Sequence, residues 1–103
     1  MVTQQTAIDT ARSFVRDCRA AGLHFQKVLL FGSYASGRMH DGSDIDLLLV
    51  SSRFTDNIFD NLRLYSKVNI KYPIIETHPY PLKQYREGDA FIQSLEKEGI
   101  EIV

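Results

Sequence analysis

A short segment near the middle of the chain limits both the fold and the chemistry that the chain can support. Residues 32–46 begin with Gly-Ser and end with Asp-Ile-Asp, and an apolar run stands on each side. The run at residues 27–31 predicts a short buried strand that Gly32 ends, so that Ser33 opens a helix. A strand that leads through a Gly-Ser turn into a helix presents backbone N–H groups and a hydroxyl to an anion. The turn is therefore predicted to hold phosphate.

The Asp-Ile-Asp triplet leads into a second apolar run, residues 45–50, which predicts a neighbouring strand. Because side chains alternate along a strand, Asp44 and Asp46 should share one face, with Cα atoms roughly 6 to 7 Å apart. Two like charges about 4 Å apart repel by roughly 4 kcal/mol at an effective dielectric constant near 20, and a divalent cation reverses that sign. Oxygen ligands without a nearby His or Cys favour Mg²⁺. The pattern predicts phosphoryl or nucleotidyl transfer, with two Mg²⁺ ions able to stabilise the attacking and leaving oxygens.

A third acidic residue follows in another short apolar run. Residues 73–77 predict a strand with Glu76 near its end, and residues 79–81, Pro-Tyr-Pro, predict a rigid elbow after it. Glu76 is a candidate general base, which would take the proton of an attacking hydroxyl or share a metal with Asp44 and Asp46. The alternative is an exposed glutamate at a strand end with no functional role.

Five further residues near these motifs have both a functional and a structural interpretation. Arg38 and Ser43 are candidate nucleotide contacts, with solvation and loop hydrogen bonding as the alternatives. His40 and His78 flank the site, but histidines in polar loops are usually surface residues, and Mg²⁺ ligation by them is not expected. Tyr34 either stacks on a base or anchors the turn.

The remaining chain predicts helices and one more strand. Helices are predicted over residues 3–21, from 55 or 56 to about 68, and from about 81 to 99 with a possible break at Gly88, and a final strand over residues 100–103. The second of these helices is expected to cover the sheet with an apolar face of Ile58, Leu62, Tyr65 and Val68. The predicted fold class is α/β (α+β): one small domain over residues 1–103, with a mixed sheet of about four strands and helices packed against it.

Composition narrows the classes of function. The chain has 103 residues, which is room for one domain, so a partner surface is expected to complete the pocket. The net charge of −1 and the lack of a Lys/Arg stripe argue against a nucleic-acid template. The single Cys18 excludes an internal disulfide and is expected in the core. With no signal peptide and no long apolar stretch, the chain is expected to be soluble and cytoplasmic, without a membrane partner. A homo-oligomer remains possible.

Taken together, Gly32-Ser33, the Asp-Ile-Asp triplet and Glu76 resemble the motifs of the DNA polymerase beta-like nucleotidyltransferase superfamily, specifically its minimal nucleotidyltransferase branch. The resemblance implies that the Gly-Ser turn holds the β- and γ-phosphates of ATP or another NTP. It also implies that Asp44 and Asp46 bind Mg²⁺, and that Glu76 completes the metal site and activates an acceptor hydroxyl. Many members carry Asp at the third position, so the longer Glu76 is a departure.

Several functions stay open at this point. The first is transfer of NMP, with AMP expected, from an NTP to a hydroxyl. The resemblance favours a Tyr on an all-helical HEPN-type partner, with this chain as the antitoxin of a toxin-antitoxin pair. A second is transfer to a small molecule such as an aminoglycoside, although such enzymes usually carry an extra helical domain. The others are a module that neutralises a partner by contact without catalysis and a subunit that binds nucleotide as a regulator.

Overall fold

The computed structural model describes residues 2–40 and 42–103. They form a four-stranded mixed sheet, as the sequence predicts, with six helices among the described residues. In chain order the elements are α1 (Gln4–Ala20), β1 (Lys27–Phe31), α2 (Ser33–Ser36), β2 (Ile45–Ser51), α3 (Ile58–Arg63), α4 (Ser66–Asn69), β3 (Ile75–Pro81), α5 (Leu82–Glu87), α6 (Ala90–Glu98) and β4 (Ile100–Glu101). The strand order is β3-β2-β1-β4. β1 is antiparallel to both of its neighbours, and β2 is parallel to β3.

Strand β2 lies inside the sheet and is buried at every position except Asp46, which is half-buried. On one face of the sheet, Leu47 and Leu49 pack with the apolar side of α1 in the main core. On the other face, Leu48 and Val50 pack with residues of α6 in a second, smaller core. Because side chains alternate along a strand, Asp46 lies on the α6 face, at the end of this second core.

Helix α1 confirms the predicted first helix. Thr3 caps its N-terminus, with the Thr3 side chain accepting the Thr6 backbone N–H. Its buried face has helical spacing and consists of Ala7, Ala11, Phe14, Val15 and Cys18. Cys18 is fully buried, as expected for a small core residue. Among the helices of the described ranges, none combines the length and the apolar character needed to cross a membrane.

The predicted single helix from residue 55 or 56 to about 68 is wrong, because the structure has two short helices there. Helix α3 begins after Asn57, whose side chain accepts the Asp60 backbone N–H, and the chain leaves the helical conformation at Tyr65, where φ is −140°. The turn lets Tyr65 enter the core, where its hydroxyl is 2.9 Å from that of Thr77. It also leaves Ile58 outside, with 65% of its surface exposed. Ile58 and Tyr65, which were predicted to share one apolar helix face, therefore point in different directions.

The predicted elbow at residues 79–81 is also wrong, because these residues continue strand β3 in register with β2. Proline lacks an N–H donor, but it is tolerated on an edge strand, and β3 is an edge of this sheet. Glu76 is therefore near the start of its strand and not near its end. After β3, the predicted break at Gly88 is confirmed between α5 and α6, and β4 pairs with the middle of β1.

Candidate active site

The Gly-Ser turn lies directly against the carboxylate of Asp46. Gly32 follows β1 with φ 75° and ψ −150°, a conformation that side-chain-bearing residues rarely adopt. A Cβ atom placed on Gly32 would stand 2.3 Å from Asp46 Oδ2, closer than any real Cβ contact. The turn and the acid come together because β1 and β2 are antiparallel neighbours that pair Phe31 with Asp46. A larger residue at position 32 would require the Asp46 carboxylate to move.

Helix α2 after this turn has four residues, so its dipole contributes little, and the N–H groups of its first turn matter more. Its first hydrogen bond runs from the Ser36 N–H to the Gly32 carbonyl, at 3.1 Å. The N–H groups before Ser36 therefore have no acceptor within the helix. Tyr34 is 2% exposed and anchors the turn in the core, while Gln4 of α1 donates to the Tyr34 carbonyl at 2.9 Å.

A group of three potential metal ligands stands beside this turn, at one end of the β2 and β3 strands. The parallel register places Asp46 opposite Glu76, and His78 follows two residues later on the same face of β3. One ligand atom from each of the three lies within 4.8 Å of the other two. His78 Nε2 is 3.7 Å from Asp46 Oδ1 and 3.9 Å from Glu76 Oε1.

The electrostatics of this group suit a cation. Burial raises the pKa of Asp46 above its ordinary value, the nearby carboxylate of Glu76 raises it further, and His78 acts in the opposite direction. A half-buried carboxylate next to a second acid is unfavourable when both are ionised, and a divalent ion between them removes that repulsion. Two carboxylates and an imidazole are ordinary ligands of divalent metals. The residues therefore fit a metal ion.

The other predicted site residues take different positions. Asp44 is exposed, is not a member of the three-residue group, and lines a cavity of about 650 Å³ with Tyr34 and other residues. Arg38 is exposed and lines a second cavity, of about 640 Å³, whose wall includes Gly32. Their assignment to metal and nucleotide stays a prediction.

Ser43 and His40 are hydrogen-bonded to each other in the loop before β2. Ser43 is buried, and its hydroxyl accepts the backbone N–H of the exposed His40 at 2.9 Å, which is the loop hydrogen bonding considered as its alternative role. A nucleotide contact by Ser43 stays a prediction.

His78 lies in strand β3, next to the two acids, and not in a loop. The predicted elbow at residues 79–81 puts His78 in a loop, where a histidine is usually solvated. In a strand, Glu76 and His78 are two positions apart and must share a face. That acidic-x-His spacing was the available signal.

The fold and the site together define the class of this protein, a small enzyme domain of the nucleotidyltransferase type. The chain belongs to the nucleotidyltransferase domain family, whose model matches residues 12–101.

Two relatives can be compared with it. The chain is 40% identical over 50 residues to a Methanocaldococcus jannaschii protein provisionally named a protein adenylyltransferase. That match spans 48% of this chain and 47% of the relative, so it covers about half of the relative's length. A crystal structure of a provisionally named nucleotidyltransferase from Sulfolobus solfataricus has a TM-score of 0.68 and 22% identity, over 95% of this chain and 80% of that chain. This likeness shows the same fold.

Proposed function

We propose that this chain transfers AMP from ATP to a hydroxyl group of a partner protein, with release of pyrophosphate. The observation that carries the proposal is the contact between Gly32 and Asp46, with Glu76 in register beside Asp46. A phosphate-binding turn and a pair of acids can support nucleotidyl transfer only if they are adjacent. The turn must bind the phosphates of the same nucleotide whose metal ion the acids hold.

Each residue of the site has a role in this proposal. Gly32 and Ser33 hold the phosphates through backbone N–H groups and the Ser33 hydroxyl, with Arg38 and Ser43 as further nucleotide contacts. The acceptor oxygen forms a bond to the α-phosphorus, the bond from that phosphorus to the oxygen bridging to the β-phosphate breaks, and pyrophosphate leaves. Glu76 takes the proton of the acceptor hydroxyl.

The acids Asp44, Asp46 and Glu76 would hold the divalent metal, for which the sequence predicts two Mg²⁺ ions. When bound, the ion neutralises charge on the phosphates and lowers the pKa of the acceptor hydroxyl. Asp46 and Glu76 are already adjacent on neighbouring strands. Asp44 is exposed and stands directly before β2, so its part in the metal site rests on the motif alone.

Similarity to other proteins supports AMP as the transferred group and a protein as the acceptor. AMP and a protein acceptor follow the provisional name of the Methanocaldococcus jannaschii relative, which this chain matches over 50 residues. A Tyr on a HEPN-type partner, with this chain as the antitoxin, follows from the resemblance of the Gly-Ser and Asp-Ile-Asp motifs to minimal nucleotidyltransferases. A partner would also supply walls for the base and the acceptor that a domain of this size lacks.

The test uses ATP labelled on the α-phosphate, Mg²⁺, and the protein encoded by the adjacent gene as candidate acceptor. Asp46→Asn is the test variant, and Asp56→Asn, at an exposed position in the loop before α3, is its matched control. We expect label on a Tyr of the partner with wild type and with the control, and at least about 100-fold less with Asp46→Asn. Labelling that is equally fast with Asp46→Asn would refute the proposal. Transfer of label from γ-labelled ATP in a parallel reaction, without transfer from α-labelled ATP, would also refute it.

A contact-only module is a second candidate, because α3 and the segment after α4 expose large apolar side chains. Ile58, Phe59 and Ile70 are 65%, 74% and 78% exposed. Exposed apolar patches are typical of partner surfaces. If Asp46→Asn neutralises the partner as strongly as wild type does, and no label is transferred by either, this second function is the correct one.

A further inference from the structure

His78 has a buried nitrogen without a hydrogen-bond partner, at the centre of the proposed metal site. Its Nε2 atom is buried and has no hydrogen-bond partner among the described residues, although about a third of the side chain is exposed, 34% by area. A buried polar atom without a partner is unfavourable by about 1–3 kcal/mol, so native proteins rarely keep one without a reason. The carboxylate oxygens that face Nε2 are Asp46 Oδ1 and Glu76 Oε1, and both are too far away to accept a hydrogen bond from it.

The spacing of these atoms suits an ion placed between them. Consider two ligand atoms that each lie about 2.1 Å from a metal ion. They are about 3.0 Å apart when the ligand–metal–ligand angle is about 90°, and about 4.2 Å apart when it is about 180°. The separations of 3.7 Å and 3.9 Å from Nε2 to the carboxylate oxygens fall between these limits. A direct hydrogen bond would have drawn the atoms to about 2.9 Å. The spacing therefore leaves room for an ion that all three residues could reach.

The orientation of the imidazole is set by its surroundings and not by the two acids. His78 packs edge-on against Phe31, with ring centroids 5.0 Å apart and an interplanar angle of 61°. Phe31 is in turn held by Phe91 of α6, at 5.8 Å and 88°. The backbone of His78 is fixed by the pairing of β3 with β2. The nitrogen thus points at the acids before any ion arrives, which is the preorganisation that metal sites require.

We propose that His78 is a ligand of the ion used in the transfer reaction, through Nε2, and that this nitrogen makes the site prefer first-row transition-metal ions to Mg²⁺. The proposal rests on the proposed function for the role of the ion, and it replaces the all-oxygen site that the sequence suggested. Imidazole nitrogen binds transition-metal ions more strongly than it binds Mg²⁺, which favours oxygen ligands and keeps several waters.

The experiment uses the full chain without nucleotide and with Mn²⁺ as the probe. Binding of Mn²⁺ and of Mg²⁺ is measured by calorimetry, and nitrogen coordination is read from the pulsed electron paramagnetic resonance of bound Mn²⁺, a readout independent of activity. The variants are His78→Phe, which keeps a ring against Phe31, and His78→Gln, which keeps a polar group. His24→Gln, at an exposed position before β1, is the matched control, and circular dichroism checks that each variant is folded.

We expect a nitrogen coupling from bound Mn²⁺ in the wild type and the control, and its loss in both His78 variants. The affinity for Mn²⁺ should fall at least about tenfold in these variants, while the affinity for Mg²⁺ changes less than about threefold. An Mn²⁺ signal without nitrogen coupling, or a coupling that survives in the His78 variants, overturns the proposal and leaves the transfer function intact.

Two other outcomes also have a definite meaning. If His78 only neutralises the acids as a cation, its removal will tighten Mn²⁺ and Mg²⁺ binding alike, which refutes ligation. If the wild type binds neither ion, and AMP transfer is also absent, the proposed function fails together with this inference.

Discussion

Replacing Gly32 with Ala should lower the stability of the protein by straining the turn and should also lower metal affinity and AMP transfer by displacing Asp46. A matched control can separate these two effects. The Gly32 backbone, at φ 75° and ψ −150°, lies in a region that other residues occupy only at a penalty of about 1–3 kcal/mol. A loss of about 2 kcal/mol lowers the melting temperature of a domain of this size by roughly 10 °C. In addition, the new Cβ would stand 2.3 Å from Asp46 Oδ2, where ordinary contact begins at 3.4 Å. The carboxylate must therefore retreat by about 1.1 Å.

A displacement of about 1 Å at reacting or ligating groups lowers rates by about 100-fold. Gly32→Ala should therefore lose AMP transfer by about that factor and weaken Mn²⁺ binding, besides lowering the melting temperature. The matched control is Gly88→Ala, because Gly88 has a similar conformation, φ 70° and ψ 153°, but a Cβ there meets nothing within 4 Å. It should lose similar stability and keep metal affinity.

The assays are thermal unfolding by circular dichroism, calorimetric titration with Mn²⁺ and release of pyrophosphate, all below the melting temperature of the weaker variant. If folded Gly32→Ala keeps metal affinity and transfer within about threefold of wild type, the carboxylate is not held against the turn as described. Equal losses of affinity in Gly88→Ala would show that general destabilisation, and not the clash with Asp46, is the cause.

Three further outcomes follow from the same structure. Burial and the carboxylate of Glu76 raise the pKa of Asp46, so the ionised form of Asp46 destabilises the folded state. Asp46→Asn should therefore raise the free energy of unfolding of the metal-free protein at neutral pH, as measured by urea titration. That gain should shrink as the pH falls and vanish below the ordinary Asp pKa of 3.8; a gain that persists in acid would contradict this. Burial raises the pKa of Cys18 to about 12, so iodoacetamide should label it only after unfolding, and rapid labelling of the native protein near neutral pH would argue against it. Asn61 accepts the Thr55 N–H and donates to the Thr55 carbonyl, each at 2.8 Å, so Asn61→Ala should lower the free energy of unfolding by about 2 kcal/mol, and a loss below about 0.5 kcal/mol would refute the role of these bonds.

The first half of the site could be predicted because its signals are local. The apolar run before Gly32, the Gly-Ser pair and the run after Asp44 each specify a strand or a turn within a few residues, and the structure has β1, α2 and β2 where they were expected. Asp46 and Glu76, which were expected to share a metal, lie opposite each other on neighbouring strands. Asp44, which was expected to converge with Asp46, is not a member of the group that Asp46 forms with Glu76 and His78.

The second half could not be predicted because it depends on contacts that are distant in sequence. Whether Pro79 ends a strand or continues it depends on whether that strand is an edge of the sheet, which only the complete topology determines. The break at Tyr65 depends on the core site that receives its ring and on the hydroxyl of Thr77, twelve residues away. The position of His78 beside Asp46 and Glu76 also depends on strand β3, which continues through Pro79.

The two prolines of β3 also limit what can pair with the outer border of the sheet. Pro79 and Pro81 have no N–H to offer beyond the sheet, so the outer border of β3 cannot recruit an additional strand from another protein. Glu76 and His78 stand on this same border, and Glu76 is exposed. The border that resists strand addition thus leaves the exposed Glu76 uncovered at the side of the sheet.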